Sequence, residues 1–264
     1  MESFLIAVGK LMGLPVLASE QGHMVDRLLI YIHLLMMALF VGWLTYFVFV
    51  LIRFRRGRHP NADYTGVKGH TSSYLEVAVA VIEAVLLFGL AIPLWAKAVD
   101  KFPAKTDSTE VQIVAQQFAW NIRYPGPDGV FGKQDMRWVS TDNVFGVDPK
   151  DPQGKDDVQT LNELHVPLVK MANGEFKPVI LYISSKDVVH SFKVIALRLT
   201  QDAIPGMRIP IWFRPTREGR FQINCAQLCG NSHSAMSQGF VVVESKAAFD
   251  KWIASKVGAA TSFE

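Results

Sequence analysis

Cysteine is nearly absent from this chain, with two thiols in 264 residues, Cys225 and Cys229. That excludes a disulfide-stapled scaffold, which needs a much denser cysteine framework. There is no Cys-x-x-Cys-His run, so no covalently attached haem is expected. No internal repeat is found, which removes array folds such as solenoids and propellers. Charge is missing from one long block, since Leu28 to Ile52 holds no Asp, Glu, Lys or Arg. After Ala96 no run is apolar enough to cross a bilayer.

What is present begins with apolar residues, half of the chain, and a mean hydropathy of +0.19, high for a soluble domain. Leu28–Ile52 is long enough to span the hydrocarbon core, with His33 as its one side chain that titrates near neutral pH. A second run, Val77 to Ala96, is interrupted by Glu83 and still reads as a span. Between them lie Arg53, Arg55, Arg56, Arg58 and Lys68, and short basic loops stay on the cytoplasmic side. The expected organisation is therefore an N-terminal segment over 1–27, a transmembrane hairpin over 28–99 and an extracytoplasmic domain over 100–264. The spans run over about 28–53 and 74–98, with Trp95 and Lys97 anchoring the second at the interface. Both termini then lie outside, in a two-span protein of a bacterial plasma (inner) membrane. The first nineteen residues read either as a signal peptide or as a retained interfacial helix; Glu2 and Lys10 favour the second.

Beyond the second span the pattern changes to strands. Val111–Ile122 alternates in places, and Leu161–Val166, Pro178–Ser184, Ser191–Leu197, Ile209–Arg214, Gly219–Cys225 and Gly239–Glu244 follow, separated by turn signals. Many short strands at this spacing predict a Greek-key sandwich or barrel. Residues 125–160 read as a long loop, with an excess of acids from Asp128 to Glu163, and Ala247–Lys256 as a short terminal helix.

Both cysteines sit in Cys225-Ala-Gln-Leu-Cys-Gly-Asn-Ser-His-Ser-Ala-Met236. A disulfide across this gap would explain neither His233 nor Met236, and a structural zinc site has no use for the thioether. A histidine and a methionine that merely pack remain an open alternative. Thiolate, thioether and imidazole together select copper. Cys229-x3-His233-x2-Met236 has the layout of a mononuclear copper loop, with His190 at the start of a strand as the distant second imidazole. Cys225 is then left over. If both thiolates bridge, they hold two copper ions, each with one histidine, and the remaining positions go to Met236 and the backbone carbonyl of Gln227. Such a pair relays electrons and leaves no coordination position for a substrate.

These residues resemble subunit II of the haem–copper cytochrome c oxidases, and the loop resembles its dinuclear CuA centre. The resemblance covers nearly the whole chain: the two-span hairpin, Asn162-Glu-Leu-His-Val-Pro167, Ser185-Lys-Asp-Val-Val-His-Ser-Phe192, Asp202-Ala-Ile-Pro-Gly206 and the cysteine loop. It implies a cupredoxin-like β-barrel outside the membrane. It also implies electrons taken from cytochrome c, or from a complex-bound c-type haem donor, and passed to haem in subunit I. There, beside CuB, oxygen is reduced to water and protons are pumped. His190, Cys225, Cys229, His233 and Met236 fall on the copper ligands and Gln227 on the carbonyl ligand. The family usually has Glu at that position, reaching a magnesium ion at the subunit I interface; Gln227 puts that ion in doubt. Phe118 stands where the family has the Trp of its electron-input surface, and Trp120 fits the later aromatic; both also read as plain core aromatics. Glu76 matches an acid at the mouth of a proton path, or is an interfacial acid without a role. Glu83 has no counterpart to carry over, and His33 reads as packing against subunit I. A copper-delivery or electron-transfer membrane protein outside any oxidase is the alternative, and no nucleic-acid partner is implied.

Overall fold

The structure is a computed structural model; it describes residues 2–61, 64–66 and 68–257. The extreme termini, whose sidedness is predicted above, lie outside these residues. The chain divides into two compact units, one of residues 1–14 and 24–97 and the other of residues 15–23 and 98–264.

The first unit is helical. α1 covers Glu2–Leu11 and α2 covers Gly22–Arg53. After the basic loop come α3, Thr71–Leu86, a π-helical turn, Leu87–Ala91, and α4, Ile92–Asp100. Two continuous helices, Gly22–Arg53 of 32 residues and Thr71–Asp100 of 30 residues, are long and apolar enough to cross a membrane. The π turn has a local cause. Pro93 carries no N–H and its ring would collide with the carbonyl four residues back, so the helix widens just before it. The Ile92 N–H accordingly reaches the carbonyl of Leu87, five residues earlier. Glu76 and Glu83 are both exposed on α3, and His33 on α2 turns its Nδ1 to the carbonyl of Leu29, 2.7 Å away.

The second unit is a β-domain. Its strands are β1 Thr109–Gln116, β2 Ala119–Tyr124, β3 Val158–Leu161, β4 Glu163–Leu168, β5 Val179–Ser185, β6 His190–Val194, β7 Leu199–Ala203, β8 Ile209–Phe213, β9 Gly219–Gln222, β10 Asn224–Cys225 and β11 Phe240–Ser245. α5, Lys246–Lys256, follows, with the Ser245 hydroxyl accepting from the Ala248 N–H as its cap. The sheets are β3-β2-β1-β5-β8, β10-β6-β7 and β4-β11-β9, wrapped round one core. β1 and β5 run parallel with Val111 opposite Leu181 and Ile113 opposite Ile183, all fully buried. This is period-two alternation with one face in the core. The expected architecture, two long apolar helices followed by an all-β domain, is present. Three local readings differ. The 111–122 stretch is a hairpin, β1 and β2, turning at Gln117–Phe118. Asn162 in the left-handed region (φ 59) splits the 161–166 strand into β3 and β4. β7, Leu199-Thr-Gln-Asp-Ala203, was not apparent as a strand because it alternates only weakly.

The N-terminal stretch does not behave as one piece, because residues 15–23 belong to the β-domain. Ala18 and Ser19 are fully buried. Ala18 donates its N–H to the Ala196 carbonyl at 2.7 Å and accepts from the Thr216 N–H at 3.0 Å. The Ser19 hydroxyl donates to the Leu197 carbonyl at 2.6 Å. Gln21 exchanges side-chain hydrogen bonds with the backbone of Trp212 and Arg214.

The long acidic loop is ordered from within. Arg123 is wholly buried and donates to Asp157, to Gln112 Oε1 and to the Gly132 carbonyl. Asp157 also accepts from the Gly132 N–H, and Asp151 from the Lys133 N–H. Burial pushes Asp157 up despite the Arg123 partner.

Candidate metal centre

The cysteine loop is stretched between two strands of different sheets. Its start is pinned where Cys225 pairs with Phe192 of β6 and the Ala226 N–H reaches the Ser191 carbonyl at 2.9 Å. Its end enters a 3-10 turn, His233–Gln238, before β11. The Ile223 N–H to the Gly239 carbonyl, 2.8 Å, closes the neck. Three side chains of other elements hold its interior. Gln117 donates through Nε2 to the Cys229 carbonyl at 2.6 Å, Trp120 through Nε1 to the Met236 carbonyl at 2.9 Å, and Gln222 to the Ser237 carbonyl at 2.8 Å.

His190 opens β6 and is fully buried. One nitrogen of each of His190 and the sulfurs of Cys225 and Cys229 lie within 4.8 Å of one another. The two sulfurs are unbonded, 3.9 Å apart. Cys225 Sγ is 4.0 Å from His190 Nδ1 and 3.0 Å from the Gln227 carbonyl oxygen. Cys229 Sγ is 3.3 Å from His233 Nδ1. Ligands at about 2.3 Å for sulfur and about 2.0 Å for nitrogen stand about 3.5 Å apart across a tetrahedral angle at a first-row metal. The observed spacings fit donors that share such an ion. Met236 is fully buried on the same loop, so a thioether is available without solvent.

Asp187 is the residue that sequence reasoning passed over. Its Oδ1 takes the His190 Nε2 hydrogen at 2.9 Å, and its Oδ2 takes the Gln117 N–H at 2.7 Å. With Nε2 carrying the hydrogen, Nδ1 presents its lone pair toward Cys225. Burial would raise the Asp187 carboxyl, but the bonds from His190, Gln117 N–H and Val188 N–H outweigh it and hold the group below its usual range. A lone acid three residues before a histidine carries no signal of this role in sequence alone. The Cys229 thiol is pushed up to about 11, by burial first and by the neighbouring Cys225 second.

The aromatics separate. Phe118 is half-buried and its ring lies over Gly230, where a Cβ would come within 2.9 Å of it. Trp120 is wholly buried, edge-on to Phe192 and to His190 with centroids 5.3 and 6.2 Å away. Of the pair read as an electron-input surface, Trp120 therefore offers nothing for a donor to touch. The reason is its place in β2, where it faces the core and reaches back to Met236.

An alternative cytochrome c oxidase subunit 2 of Bradyrhizobium diazoefficiens is 36% identical over 222 residues, covering 80% of this chain and 76% of that one. This chain belongs to the cytochrome c oxidase subunit II family. The family profile "Cytochrome C oxidase subunit II, periplasmic domain" matches residues 153–245, the stretch that holds every proposed ligand. The subunit 2 of Cereibacter sphaeroides is 26% identical over 81% of this chain and 71% of its own. Among solved structures, the periplasmic domain of subunit II of the Bradyrhizobium japonicum cytochrome oxidase covers 59% of this chain and 96% of its own at a TM-score of 0.41 and 23% identity.

Proposed function

We propose that this subunit II holds two copper ions between Cys225 and Cys229 and relays single electrons from a c-type cytochrome to haem in subunit I of a proton-pumping oxidase. The observation that carries the reading is the run of neighbouring donors His190 Nδ1, Cys225 Sγ, Cys229 Sγ and His233 Nδ1, each within 4.0 Å of the next. When bound, a copper pair held by Cys225 and Cys229 would supply a one-electron store. The chain does the rest. Asp187 fixes the tautomer and angle of His190. Trp120 and Gln117 fix the backbone on either side of the thiolates, so the donors are pre-organised. Met236 and the Gln227 carbonyl complete the donor set, and a closed set leaves no place for substrate. That closure favours a relay over a copper-delivery protein, which needs open coordination.

The remaining assignments follow from the same reading. The β-domain and both chain ends lie on the periplasmic side of the bacterial plasma membrane, with the basic 53–73 loop inside. Oxidase subunit I, with its haem and CuB, and the other oxidase subunits are the partners. Glu76 lies at the mouth of a proton path in subunit I. Phe118, over Gly230 beside Cys229, is the aromatic nearest the donor, with Trp120 behind it in the core. The Gln227 side chain is an uncharged amide and offers magnesium no carboxylate.

Copper quantification and electron paramagnetic resonance on the purified protein test this. Two coppers per chain and a seven-line mixed-valence signal are expected. Cys225→Ser and Cys229→Ser should each abolish that signal and turnover with cytochrome c. A four-line signal, zinc, or turnover retained in either variant would overturn the reading.

A further inference from the structure

A cavity in the β-domain is lined by none of the proposed copper ligands. Its volume is about 310 Å³. It lies on the outer face of the five-stranded sheet, where Gln112 and Val114 of β1 and Tyr182 and Ser184 of β5 alternate away from the core. The acidic loop roofs it with Val139, Val144 and Phe145. Its mouth is flanked by two exposed methionines, Met136 and Met207. Such a half-open space, mostly apolar with a few convergent polar groups, is the usual form of a small-molecule site.

The polar groups are unequal in charge. Asp135 lines the cavity, but Arg137 takes both its oxygens, at 3.0 and 2.6 Å, and holds the carboxyl down to about 2. Tyr182 donates its hydroxyl to Glu110 at 2.5 Å, which anchors the ring. Arg208 stacks on that ring, 4.0 Å from the centroid, and pairs with no acid among the described residues. Lys186 adds a second cation, its Nζ donating to the Ser140 carbonyl at 2.8 Å. A guanidinium held over an aromatic ring by its central carbon still has N–H donors to offer, and their fork matches a carboxylate.

We propose that this cavity binds a small amphipathic monocarboxylate, its acid on Arg208 and its short apolar chain under Val139, Val144 and Phe145. The volume is about ten water molecules, which suits on the order of ten non-hydrogen atoms.

Fluorine NMR of the full chain in nanodiscs, titrated with 6,6,6-trifluorohexanoate, tests the site. The neutral probe 6,6,6-trifluorohexanamide measures partition into lipid. Saturable binding is expected for the acid and at least about tenfold weaker binding for the amide. Arg208→Gln should weaken the acid by about the same factor with only a small shift of the thermal midpoint, from loss of the contact over Tyr182 at an exposed site. Val144→Trp should fill the space and remove binding. No saturation with the acid, equal affinity for acid and amide, or affinity unchanged in Arg208→Gln would each overturn the assignment. Should Val144→Trp fail to fold, the amide and Arg208→Gln still decide.

Discussion

At the scale of single residues, the proposed centre would depend on side chains that are not themselves its ligands. Asp187 holds His190, and partners of this kind typically change metal affinity 10–100-fold when removed. Asp187→Ala is expected to lower copper retention about 10–100-fold against a competing chelator, with the fold intact; retention equal to the parent protein would show that Asp187 does not position His190. Gly230 is constrained twice, by a φ of +142 that side chains rarely adopt and by Phe118 and Gln117 Nε2 within 2.9 and 2.8 Å of any added Cβ. Gly230→Ala should cost about 1–3 kcal/mol, read as a lower unfolding midpoint, and loosen the loop that carries Cys229. An unchanged midpoint would mean that the loop relaxes at no cost.

At the scale of elements, the β-domain is completed by a piece of chain from before the first long helix. Residues 15–23 bury Ala18 and Ser19 and pair with backbone on both sides. Loss of one such bond, by Ser19→Ala, should cost about 1 kcal/mol, because the Leu197 carbonyl is left without its donor in a buried site. Chemical denaturation of the full chain would show it as a shift in midpoint, and the absence of a shift would mean that water replaces the hydroxyl. Hydropathy could not reveal this role. Leu17-Ala-Ser19 is small and bland in sequence, and its importance is the space it fits. The helix pair was legible for the opposite reason: charge-free length is a local property. So was most of the strand series, but not the hairpin turn at Gln117–Phe118, which has no Gly or Pro to mark it.

At the scale of the whole molecule, the 128–163 region, rich in acids, reads in sequence as a long loop. In the fold several of those acids are engaged locally: Asp157 by Arg123, Asp151 by the Lys133 N–H, Asp156 by the Asp128 N–H and Asp135 by Arg137. They order the loop; Asp157 and Asp135 are matched by arginine charges, whereas an N–H partner leaves the charge of Asp151 and Asp156 in place.

The order of the chain by itself determined the two long apolar helices, the strand-rich domain and the soft-ligand set of the proposed centre, because hydropathy, alternation and residue identity are local facts that survive without a fold. Only the tertiary structure decided that His190 stands 4.0 Å from a thiol thirty-five positions away. It also decided that Asp187 orients this histidine, that Trp120 is sealed in the core, and that residues 15–23 close the β-domain. Each of these depends on which surfaces meet once the sheets pack round a shared core, and packing is a relation between distant segments that no single segment encodes.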